Sequence, residues 1–91
     1  MQQASNTPIS QSLTQQTQTI DAAHHLHPFT DTRSLNSKGA RVITHAEGIY
    51  LWDSEGNKLI DGMAGLWCVS LGYGRKELVD AATRQMHELP Y

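Results

Sequence analysis

A single cysteine, Cys68, leaves this sequence without an internal disulfide or a zinc ribbon, and a lone thiol suits a reducing compartment. Charge of one sign is also lacking. Seven Lys and Arg against nine Asp and Glu leave a net charge of −2, which offers no electrostatic footprint for nucleic acid or an anionic membrane. No apolar run approaches the roughly 20 residues needed to cross a bilayer. The opening MQQASNTPIS has neither the basic nor the apolar region of a secretory signal. A cytoplasmic chain that binds neither nucleic acid nor membrane is expected. Apolar residues make up only 38% of 91 positions, so the chain supports at most one small domain.

What is there concentrates between Asp61 and Gly74, DGMAGLWCVSLGYG. Glycines at 62, 65, 72 and 74 make this stretch a poor helix, because each loses much backbone entropy on ordering. Its Leu66, Trp67, Cys68 and Val69 make it too apolar for a solvated linker. The pattern predicts a buried loop lining a site.

Upstream, residues 1–18 are rich in Gln, Ser and Thr, with Ile9 and Leu13 as the sizeable apolar side chains after the first Met, and predict a disordered tail. Residues 19–40 form an arm. TIDAAHHL predicts a short helix over 19–26, ended by Pro28, and a polar connector follows from Phe29 to Gly39. His24, His25 and His27 do not converge on one helix face, and no second cluster completes a tetrahedral set, so no metal site is expected.

From Arg41 the period changes to two. Residues 41–45, 49–52 and 58–61 predict a three-stranded antiparallel meander, with DSEGN as the turn between the last two strands. Leu78, Val79, Ala82, Met86 and Leu89 recur at helical spacing and predict a helix over 75–89, capped by Gly74 and carrying an Asp80–Arg84 pair. The class is α+β: arm helix, meander, glycine-rich loop, helix. These elements do not enclose a core of ordinary size, and the meander has unpartnered edges. The expectation is the start of a larger chain, cut at Tyr91.

HHLHPFTD and the run from LNSKGARVITHAEG to MAGLWCVSLGYGR and the following helix resemble one family. From about His24 to Tyr91 the sequence is similar to the N-terminal region of class III, pyridoxal-phosphate-dependent ω-aminotransferases, most of all to those moving an amino group from putrescine or an ω-amino acid to pyruvate. The resemblance implies a part of the α/β, aspartate-aminotransferase-like fold (fold type I), with residues 41–91 beginning its small domain. It implies a homodimer, an amine donor and pyruvate as substrates, and Phe29, Leu66 and Trp67 lining the substrate pocket. Pyridoxal phosphate would be bound by parts of the parent chain beyond Tyr91. None of Lys38, Lys58 and Lys76 fits the lysine that carries the cofactor, so these 91 residues alone are expected to be inactive, with no catalytic or cofactor-binding residue among them. The competing expectation is a stand-alone binding module whose Trp67 loop docks a partner.

Overall fold

The structure, a computed structural model, describes the backbone of residues 7–91 and the side chains from residue 13 onward. Its elements run α1 (Thr7–His24), α2 (Thr32–Lys38), β1 (Ile43–Glu47), β2 (Tyr50–Asp53), β3 (Lys58–Ile60), the single turn α3 (Ala64–Trp67) and α4 (Lys76–Glu88). The strands form one antiparallel sheet in the order β1-β2-β3. The α+β meander is therefore present, with strand ends one or two residues from the expected positions.

The N-terminal expectation needs correction. Residues 7–18, expected as a disordered tail, are helical and continuous with the helix expected over 19–26; residues 1–6 of that tail lie outside the described residues. The compositional argument weighed only apolar burial. Gln is a good helix former, and α1 is tied down through polar atoms. Thr14 Oγ1 donates to Ser54 Oγ, and Gln18 Nε2 donates to the Ala40 carbonyl at 2.8 Å. Among the described residues Thr14 is one of two buried polar residues.

The connector over Phe29–Gly39 is corrected as well, because it contains α2. Asp31 sits at its N-cap and accepts from the Ser34 amide at 3.2 Å, while Gly39 at φ +88° leaves the helix. The chain thus uses Asp31 as a cap.

Two compact units divide the chain. The first holds, of the described residues, 7–44 and 52–57, and its turn is organised by Asp53. That carboxylate accepts from the amides of Glu55 (3.0 Å) and Asn57 (2.8 Å) and from Asn57 Nδ2 (3.0 Å). Arg41 Nε lies 3.6 Å away. The Asn57 side chain, then its backbone amide, hold the Asp53 carboxyl below its usual range.

The second unit holds residues 45–51 and 58–91, including α4. Arg75, one residue after the expected Gly74, is the N-cap. Asp80 pairs with Lys76 at 2.6 Å instead of with Arg84, and the Arg75 guanidinium holds the Glu77 carboxyl below its usual range. The apolar stripe of α4 is real but uncovered: Leu78, Val79, Met86 and Leu89 are all more than half exposed. Among the described residues no apolar side chain is buried. Hydrogen bonds at turns and caps fix the local geometry within each unit.

Candidate functional site

Asp61 ends the run of β3, and its amide donates to the Ile49 carbonyl at 2.8 Å. Twelve residues later Tyr73 pairs with Gly48, the Tyr73 amide on the Gly48 carbonyl (2.8 Å) and the Gly48 amide on the Tyr73 carbonyl (3.0 Å). Both ends of the glycine-rich loop are therefore fixed on the Gly48–Ile49 corner. Gly72 is required here. It has φ +89°, and a Cβ on it would lie 3.1 Å from the Gly48 carbonyl oxygen.

The Asp61 side chain then organises the loop from within. One carboxylate oxygen accepts from the Met63 (3.1 Å) and Ala64 (3.0 Å) amides; the other accepts from the Tyr73 hydroxyl. That phenolic bond, then the two amides, draws the Asp61 carboxyl below its usual range against the opposing pull of desolvation. The same bond, with burial, raises the Tyr73 phenol. At neutral pH the pair is one ionised acceptor and one neutral donor.

Between these anchors lies α3, which is left-handed. Ala64, Gly65, Leu66 and Trp67 take φ of 51°, 61°, 59° and 80°. A left-handed residue other than glycine costs on the order of 1–2 kcal/mol, and such residues ordinarily occur singly. Here three occur in one turn, closed by Leu66 N on Met63 O (2.8 Å) and by the Cys68 and Val69 amides on Ala64 O (both 2.9 Å). Persistent backbone strain marks clamps and active sites more often than plain connectors.

The expected site residues are placed unequally. Leu66 and Trp67 share the strained turn, and their exposures are 63% and 91%. Among the described residues nothing covers these two side chains. Phe29 belongs to the other unit, at φ 51° and fully exposed. A cleft of about 420 Å³ is lined by Gly48, Ile49, Asp61, Ala64, Val69 and Tyr73, among others, and by neither Leu66 nor Trp67.

Asp61 and Tyr73 escaped the sequence reading, which took one as a strand end and the other as part of a motif. The available signal was an Asp just before a turn, where its side chain can serve the next amides.

The remaining candidates are engaged elsewhere. His27 Nε2 lies 2.7 and 2.9 Å from the Asp21 carboxylate oxygens, and its ring meets that of His25 edge-on. Among the described residues no three His, Cys, Asp or Glu side chains form a possible metal set. Lys38 closes α2, Lys58 Nζ sits 4.0 Å from the Tyr50 ring centre, and Lys76 is paired with Asp80. No helix among the described residues is long and apolar enough to cross a membrane.

The fold of this chain, a meander followed by a glycine-rich loop and a helix, is similar to that of solved pyridoxal-phosphate-dependent transaminases. The chain belongs to the class-III aminotransferase family, whose pattern matches residues 32–91. It is similar to the putrescine–pyruvate aminotransferase of Pseudomonas aeruginosa, with 63% identity over 94% of this chain and 19% of that enzyme. Among solved structures it is similar to an (S)-enantioselective ω-transaminase from Thermomicrobium roseum, with TM-score 0.75 and 44% identity over 82% of this chain and 17% of the other. It also resembles the Pseudomonas jessenii ω-transaminase in complex with PMP, with TM-score 0.73 and 38% identity over 80% and 16%. The chain thus spans about a fifth of the length of these relatives.

Proposed function

We propose that this chain is the N-terminal, substrate-facing part of a transaminase that moves an amino group from a diamine or ω-amino acid to pyruvate. The left-handed turn carries the reading. A chain that spends strain at a leucine and a tryptophan needs a use for those side chains. Lining an amine channel is one, and the similarity to the putrescine–pyruvate enzyme supports it. Leu66 and Trp67 would wrap the methylene chain of the donor, exclude water and orient the reacting C–H bond. Phe29 would line the same channel from the arm. Residues 41–91 would begin the small domain of a homodimeric, cytoplasmic enzyme.

Pyridoxal phosphate would supply the electron sink that makes the amine's C–H bond acidic. The residues present do not fit the task of holding it. All three lysines sit in the structural positions described above. The cofactor would belong to polypeptide outside these residues, and these residues alone would not transaminate.

Trp67→Ala in the complete enzyme tests the reading. It lowers kcat/KM for a diamine by about 10–100-fold, the worth of a large apolar contact in a pocket, and leaves the visible absorbance of bound cofactor unchanged. Loss of that absorbance would move Trp67 to the cofactor site. Unchanged turnover together with unchanged absorbance would favour a partner-docking loop.

A further inference from the structure

We infer that Asp61 and Tyr73 are positioning residues for the amine, because the bond between their side chains locks the loop that presents Leu66 and Trp67. This rests on the channel reading of those two residues. Neither Asp61 nor Tyr73 needs to touch substrate.

The loop's hydrogen bonding shows why one contact carries so much. Among the described residues the hydrogen bonds made by 62–72 end within residues 61–75, at the loop's own base. At that base the backbone bridges to Gly48 and Ile49 fix where the loop starts and stops, but not the turn inside it. The turn is fixed by Asp61, whose first oxygen ties the Met63 and Ala64 amides at the entry to the left-handed residues. Its second oxygen receives the Tyr73 hydroxyl, which sets the rotation of the carboxylate. Without that donor the carboxylate turns freely and can leave the two amides. The turn is then held by its internal bonds, Leu66 N on Met63 O and the Cys68 and Val69 amides on Ala64 O, without a clamp at its entry, and Ala64, Leu66 and Trp67 are freer to relax toward negative φ. Leu66 and Trp67 would still be present, in several arrangements instead of one. A recognition surface spread over several arrangements binds more weakly, because the competent one is only a fraction of the population.

The test uses the holoenzyme containing this segment, labelled with 5-fluorotryptophan, with the Trp67 resonance assigned by its loss in Trp67→Phe. Tyr73→Phe removes only the hydroxyl. It is expected to split or broaden the Trp67 fluorine resonance and to raise KM for a diamine by about fivefold, with kcat changed by less than about twofold. Asp61→Asn keeps an oxygen for the two amides and retains most of the wild-type signal, whereas Asp61→Ala behaves like Tyr73→Phe or worse. If Tyr73→Phe fails to fold, the Asp61→Asn and Asp61→Ala contrast decides. A single unshifted resonance with unchanged KM in Tyr73→Phe would overturn the inference. So would a split resonance with unchanged KM, which would leave the clasp a structural role only. Should Trp67→Ala itself leave diamine selectivity intact, the functional reading would fail, whatever the clasp variants show.

Discussion

Two aspartates in this chain use the same device on different loads. Asp53 and Asp61 each stand at the end of a strand run and accept from amides two to four residues ahead. Around Asp53 the turn is five residues long, its positive φ falls on Gly56, and the aspartate is buried with Asn57 and Arg41 about it. Around Asp61 the loop extends to Tyr73, and the positive φ falls on Ala64, Leu66 and Trp67 as well as on Gly65. The first turn is relaxed and merely reverses the chain. The second is strained, and the strain falls on residues with apolar side chains. Positive φ at Ala64, Leu66 and Trp67, residues with a Cβ, is what sets the second turn apart.

Substitutions that exchange the two characters test this contrast. The largest effect should come at the loop's base. Gly72→Val puts a β-branched residue at φ +89° and a Cβ against the Gly48 carbonyl, and should cost about 3 kcal/mol, read as a lowered Tm and faster amide exchange over residues 61–73. Next, Gly56→Ala should destabilise the short turn by about 1 kcal/mol, since alanine resists φ +89°. Leu66→Gly should have the opposite sign and stabilise the left-handed turn by up to about 1 kcal/mol, with relieved strain partly offset by added chain entropy, while amine recognition falls. Destabilisation by Leu66→Gly would mean that the turn is not strained.

Smaller still is the response to pH, in which acid acts on both turns and alkali on one. Asp53 and Asp61 both titrate below the usual carboxylate range when folded. The folded state therefore binds fewer protons than the unfolded one. Their stabilisation is complete above about pH 4 and is lost as pH falls through the depressed values. The raised Tyr73 phenol runs the other way: its contribution is complete below about pH 10 and is lost as pH climbs through the raised value. Acid should loosen both turns, seen as amide exchange at Glu55, Asn57, Met63 and Ala64. Alkali should loosen only the loop, seen in the Trp67 fluorine signal.

How much of this was legible in the sequence follows from range. Period-two alternation and DSEGN are local signals, so the meander and the Asp53 turn could be read, with strand ends shifted by a residue or two. The helix over 76–88 announced itself by its stripe, but its pairing did not. Lys76 and Arg84 are both four residues from Asp80, and spacing alone does not choose between them. Helix α1 was hidden because Thr14 and Gln18 are anchored by Ser54 and Ala40, 40 and 22 residues away. The loop was recognisable as unusual from its glycines and Trp67. Its handedness was not, since nothing in AGLW encodes three left-handed residues without the Asp61–Tyr73 closure twelve residues long.

The central claim is that residues 64–67 form a left-handed turn, and the sign of φ at Leu66 and Trp67 tests it most directly. Protein labelled at leucine and tryptophan should show the strong intraresidue amide-to-Hα cross-relaxation that positive φ produces at both residues. Weak cross-relaxation with couplings of right-handed or extended backbone at Leu66 and Trp67 would contradict the account.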